Sequence, residues 1–107
     1  MRFDALELSL GIIGNLRRIL PAIRTRDPGL ATQIRNAGSS VALNLAEGNR
    51  RRGRDRIHLW NVASGSAEEL RVALRVAAAW GYLSEHRTTE ANAKIDHLQA
   101  MLWKLTR

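Results

Sequence analysis

Between Asn44 and Arg56 the chain reads NLAEGNRRRGRDR, which places Arg50, Arg51, Arg52, Arg54 and Arg56 within seven residues. A guanidinium group presents a planar fork of donors that fits phosphate or carboxylate oxygens in pairs, so this run has the chemistry to grip a polyanion. A solvated turn is the competing reading. Arg50, Arg51 and Arg52 follow an apolar helical run, and cations at a helix C-terminus are favoured by about 0.3–1 kcal/mol each. Arg54 and Arg56 flank the start of the next helix, where positive charge is disfavoured and Asp55 alone offsets them. The five arginines and Asp55 leave the segment at +4 of the chain's +7. A bound anion relieves that self-repulsion, which puts the polyanion grip slightly ahead.

Other chemistry finds less support. His58, His86 and His97 share no metal-ligand spacing, and cysteine is absent. The glycines of EGNRRRG lack the Lys-Ser/Thr ending of a phosphate-binding loop. Glu47 and His58 lie near the same interhelical turn and could pair as acid and base. A capping glutamate and a surface histidine is the plainer reading, because no nucleophile or oxyanion site accompanies them. No enzymatic activity, cofactor or metal is expected.

A polar stripe is more informative. Gln33, Ser40, Asn44 and Glu47 fall within a narrow arc beside the apolar face of one helix, and Ser66 and Glu69 lie three apart on the next. Glu69 sits among Val62, Ala73 and Trp80, and a carboxylate buried in such company needs a partner. Arg35 and Arg51 are within reach. Ser40, Asn44, Glu47, Ser66 and Glu69 are therefore expected to form a structural polar network fixing helix register, with a binding site as the lesser alternative.

Four amphipathic helices must position these groups. Apolar residues recur at helical spacing throughout the 107 residues, with no repeat and no run long enough to span a membrane. The first segment, about Asp4 to Thr25, aligns Leu6, Leu10, Ile13, Leu16, Leu20 and Ile23, broadened by Leu8, Ile12 and Ile19. Asp27-Pro28 is a start signal, an N-cap acceptor before a proline at the first helical position. The second helix then runs to about Glu47 with Ile34, Ala37, Gly38, Val41 and Leu45 inward, and Gly48 is its expected left-handed cap. A third helix, about Asp55 to Trp80, turns Leu59, Trp60, Ala63, Ser66, Ala67, Leu70, Leu74 and Ala77 inward, and Gly81 ends it. A fourth, from Thr88 or Thr89, buries Ile95, Leu98, Leu102 and Leu105, with Met101 and Trp103 alongside. One all-α domain over residues 1–107 follows, an antiparallel up-down four-helix bundle. Leu43 and Val72 project away from its core and are candidate oligomer contacts.

Four fragments carry a family resemblance: QIRNA (Gln33 to Ala37), SVALNLAEG (Ser40 to Gly48) with its basic turn, ASGSAEE (Ala63 to Glu69) and GYL (Gly81 to Leu83). Together they resemble the small four-helix proteins encoded in intervening sequences of bacterial 23S ribosomal RNA genes. Trp60 departs from the Phe or Leu common there. The chain also looks like the accessory proteins of diversity-generating retroelements, which share the architecture. The resemblance implies a ring-like homo-oligomer, expected to be a pentamer, with a basic surface and a nucleic-acid role without catalysis. The leading expectation is a non-enzymatic, cytoplasmic module that binds nucleic acid, RNA more than DNA, through Arg50, Arg51, Arg52, Arg54 and Arg56. The alternative is a protein-interaction scaffold, such as an accessory subunit for a reverse transcriptase or another acidic nucleic-acid enzyme.

Overall fold

The computed structural model describes residues 3–107. Four long helices account for most of the chain: α1 (Asp4–Arg26), α2 (Pro28–Asn49), α3 (Gly53–Ala79) and α4 (Thr89–Leu105), with a 3₁₀ turn at Glu85–Thr88 leading into α4. The described residues contain no strand. At 1.5 Å per residue α3 is about 40 Å long, close to the 42 Å long axis of a molecule only 22 Å across. The helices therefore lie side by side along that axis. Each of α1 and α3 packs against both α2 and α4, and the four enclose one core of Ile12, Ile23, Ile34, Leu45, Leu70 and Leu98 with their apolar neighbours. Among the described residues, no helix is long and apolar enough to cross a membrane.

One residue separates α1 from α2. The Asp27 amide donates to the Ile23 carbonyl at 2.7 Å and closes α1. Its side-chain Oδ1 accepts from the Leu30 amide at 3.0 Å and opens α2, with Pro28 just inside the helix. Oδ2 accepts the Tyr82 hydroxyl at 3.0 Å. Tyr82 is placed there by Gly81, whose φ of +79° lets the Tyr82 amide reach back to Ala77 and the Gly81 amide to Ala78. Burial, followed by the hydrogen bond to Asp27, raises the Tyr82 hydroxyl above its ordinary pKa. The GYL fragment thus ties the end of α3 to the α1–α2 elbow.

Three expectations need correction. On α1 the buried face is Ala5, Ile12, Leu16, Ile19 and Ile23, whereas Leu10 is exposed and Leu6 and Ile13 are half-buried. The first helix is apolar over so wide an arc that packing against α2 and α4, not its own pattern, selects the inward side. On α4, Leu105 and Trp103 are exposed, because the helix ends at Leu105 and its last turn extends past the core; Arg107 covers the Trp103 ring. Gly48 is not a left-handed cap. It is helical and buried, and α2 continues to Asn49.

Gly48 instead makes room for Trp60. A Cβ at position 48 would stand 2.6 Å from both Cδ1 and Nε1 of that indole. The indole cannot easily move, since Nε1 donates to the Leu45 carbonyl at 3.2 Å and the ring stacks on Phe3 with centroids 5.4 Å apart. Two opposing effects meet at this position: alanine gains about 1 kcal/mol in helix propensity over glycine, while overpacking a fixed core neighbour costs about 1–3 kcal/mol. Gly48→Ala is expected to lower stability by about 1 kcal/mol, the difference of the two, in a urea melt. Gly14→Ala, where nothing lies within 4 Å of the added carbon, is expected to raise it by about 0.5–1 kcal/mol. Equal responses of the two variants would mean that the Trp60 contact does not constrain position 48.

Candidate nucleic-acid interface

The arginine turn is a tight reversal between α2 and α3. Arg50 caps α2 in helical conformation, its amide donating to the Glu47 carbonyl at 3.1 Å, and the Arg51 amide donates to Gly48 at 3.0 Å. Arg52 is extended, and Gly53 then takes φ +58°, a left-handed conformation that a side chain would strain. α3 begins there, about two turns before Trp60.

The five arginines divide into two kinds. Arg56 reaches back across the turn: its Nε donates to the Gly48 carbonyl at 3.1 Å and its Nη2 to the Asn49 carbonyl at 3.0 Å. Its guanidinium lies 5.3 Å from the Trp60 ring centroid. Both carbonyls lie at the end of α2, where the regular helical ladder runs out and a cation is favoured; Gly48 also accepts the Arg51 amide. Arg56 is therefore a cap on α2 supplied from α3, which accounts for a positive charge at the start of a helix. Arg51 pairs with Glu47, Nε to Oε2 at 2.8 Å. That hydrogen bond, with the charge of Arg51, holds the Glu47 carboxyl below the ordinary carboxylate range and raises the Arg51 guanidinium. Arg50, Arg52 and Arg54 are exposed, and among the described residues none of the three makes a side-chain hydrogen bond or ion pair. Three guanidinium forks thus face solvent on a turn that the other two arginines brace.

Beside the turn, the polar stripe is only partly assembled. The Ser40 and Ser66 hydroxyls are hydrogen-bonded at 2.8 Å, and Asn44 Nδ2 donates to the Ser40 carbonyl at 2.8 Å and its hydroxyl at 3.1 Å. Glu47 belongs to the turn through Arg51. Glu69 is exposed and outside the network, because three residues of helix rotate it about 60° from Ser66 and carry it past the α2–α3 contact. Arg35 is also elsewhere, on the α1–α2 side. Leu43 and Val72 are both exposed, at 69% and 48%. His58 is exposed near Glu47 in a shallow hollow, but among the described residues no hydrogen bond joins the two, and Glu47 is committed to Arg51. The sequence reading missed the pairing of Ser64 with Gln99, in which Ser64 Oγ donates to Oε1 at 2.7 Å and Nε2 donates to the Ser64 carbonyl at 2.9 Å. It also missed Arg56 as a cap. The only available signal was a Trp four residues further on.

Arg56→Ala is expected to cost about 1–2 kcal/mol in a urea melt, from two charge-assisted hydrogen bonds and the ring contact. Arg54→Ala should stay within about 0.5 kcal/mol of the parent, as exposed substitutions do. A similar loss in both variants would count against the cap. The Glu47–Arg51 pair has a pH signature. Because the folded carboxyl lies below its unfolded value, its contribution is present above the ordinary Glu pKa and is lost as pH falls through the lowered one. Glu47→Gln should therefore weaken the acid-side fall in melting temperature; an unchanged acid limb would show the pair to be without effect.

Comparison with other proteins adds family and fold. The structure superposes on the crystal structure of a protein of unknown function from the S23 ribosomal protein family of Bacteroides thetaiotaomicron with a TM-score of 0.87. Identity is 18%, over 96% of this chain and 98% of the other. The likeness is one of fold. No curated protein matches the sequence. The sequence profile of the 23S rRNA-intervening sequence proteins, in contrast, matches residues 4–104, and on that match the chain belongs to the 23S rRNA-intervening sequence protein family.

Proposed function

We propose that this protein is a non-enzymatic basic module that binds nucleic acid, RNA in preference to DNA, through the α2–α3 turn, and that its bundle, with helices alternating in direction, assembles as a ring-like homo-oligomer. The observation that carries the reading is the division among the arginines. Arg51 and Arg56 are held by Glu47 and by the end of α2, and they brace a turn on which Arg50, Arg52 and Arg54 remain unpaired. The braced turn fixes where the three side chains start, and their free forks need break no ion pair or hydrogen bond within the chain to meet phosphates. The preference for RNA follows the family's association with 23S rRNA intervening sequences. The exposed Leu43 and Val72 support self-association. A ring would repeat the turn, so that weak contacts add by multivalency.

Phosphate contacts of this kind carry no base information, so binding is expected to be largely independent of sequence. With about three phosphates neutralised per engaged turn, log K should fall with log salt at a slope of about −2 on single-stranded RNA. Fluorescence anisotropy with single-stranded RNA and duplex DNA at low and near-physiological salt tests this. Replacing Arg50, Arg52 and Arg54 together by Ser should abolish that slope while leaving helicity and melting unchanged. Arg51 and Arg56 are kept in that variant because they hold the turn. If the parent binds neither polymer at low salt, or the triple variant binds with the same slope, the nucleic-acid reading fails. A scaffold role, in which the same forks meet carboxylates of an acidic protein, then takes its place.

A further inference from the structure

One side of the bundle carries a stripe that a single copy leaves unmatched. On α3, Val62, Glu69, Val72, Val76 and Trp80 recur at intervals that place them along one outward line, and all are exposed. With Leu30 and Gln33 of α2 the middle of this line forms a shallow groove. Glu69 is the charged member of the line, and among the described residues it makes no hydrogen bond or ion pair. Its neighbour Glu68 is occupied by Arg71. The adjacent α1–α2 side has the opposite character. From Leu8 to Ala46 the only acid is Asp27, and both its oxygens are already engaged. A groove of about 370 Å³ there has Leu16, Leu20 and Pro21 along its floor and Arg17, Arg24 and Arg35 on its rim. None of these three arginines has a side-chain hydrogen bond or ion pair among the described residues. Arg35, Ser39 and Leu43 follow one another at four-residue spacing, so the exposed Leu43 continues the groove along α2.

We infer that these two sides are the halves of one interface between copies of this chain: the α3 line of one copy lies in the α1–α2 groove of the next, with Glu69 entering among Arg17, Arg24 and Arg35. The inference rests on the homo-oligomer proposed above and names its contact. A second copy is the occupant because each side supplies what the other lacks. An apolar line with one acid meets an apolar floor with a basic rim, and the carboxylate is paired as it loses water. Contact between two different faces is heterologous. Because the two faces are adjacent and not opposite on the bundle, successive copies turn with each contact, as a small closed ring requires. Both faces run along the helices, whereas the arginine turn lies at one end. Every copy therefore presents Arg50, Arg52 and Arg54 on the same rim of the ring.

Sedimentation velocity at micromolar concentration, with circular dichroism as a check on folding, tests the contact. The parent should sediment at several times 12 kDa. Glu69→Arg and Arg35→Glu should each fall to the single-chain mass with unchanged helicity, and the double variant carrying both should recover a mass above that of either single variant, since the 69–35 pair is then restored with its signs exchanged while Arg17 and Arg24 keep their charge. A parent oligomer whose mass neither single change lowers overturns this contact and leaves self-association standing. Loss in both single variants without recovery in the double also overturns it. A parent that stays at the single-chain mass overturns both this contact and the homo-oligomer.

Discussion

Trp60 can lie against the end of α2 only because Gly48 has no side chain, and the geometry of the arginine turn depends on that contact. The indole donates to the Leu45 carbonyl, stacks on Phe3 and offers its face to Arg56. In this way it joins α1, α2 and α3 at a single point near the turn. The guanidinium resting on it then gives Gly48 a second donor and satisfies Asn49, so the end of α2 is capped by the helix that follows. The turn can consequently be short. With Arg56 and Arg51 engaged, the remaining arginines are displayed by constraint and not by the absence of structure around them.

Much of the core was legible in the amino-acid sequence. The inward faces of α2 and α3 agree with their periodicity because each carries small and large apolar residues on one narrow arc, flanked by polar groups. Asp27-Pro28 and Gly81 were readable for the same reason, since each motif has one local physical meaning. Gly48 was not, because a glycine at the end of an apolar run signals a left-handed cap and a close neighbour equally well, and the neighbour is twelve residues away in the chain. Arg56 was obscured likewise. Its charge is unfavourable on its own helix, and only the fold reveals that it serves another. Leu10, Trp103 and Leu105 were misplaced inward where the apolar arc is wide or the helix outruns its neighbours. Glu69 shows the limit of chemical reasoning without geometry: its need for a partner was inferred from its neighbours, yet the chain leaves it at the surface.

The contacts between α3 and its neighbours depend on short side chains. Ala63, Ala67, Ala73 and Ala77 are buried along α3, with Ala37 on α2. Small residues let backbones approach closely, and only then can Ser40 meet Ser66 directly, or Ser64 hold both ends of the Gln99 amide. Longer residues on this seam would separate the helices and strand those hydroxyls. The polar contacts specify alignment along the seam, which a uniformly apolar surface does not.

The elbow at Asp27 has a bearing on how the fold tolerates changes in chain length. A single residue terminates one helix, starts the next and anchors Tyr82 from the far side of the molecule. There is no slack at that point: an inserted residue would separate the carboxylate from the Leu30 amide, from Tyr82 or from both. The connection between α3 and α4 is different, since Ser84 to Arg87 is exposed and is held by few bonds. Insertions, affinity tags placed within the chain or a relocated pair of chain ends belong there. The elbow, by contrast, is a position at which the length of the polypeptide is itself part of the structure.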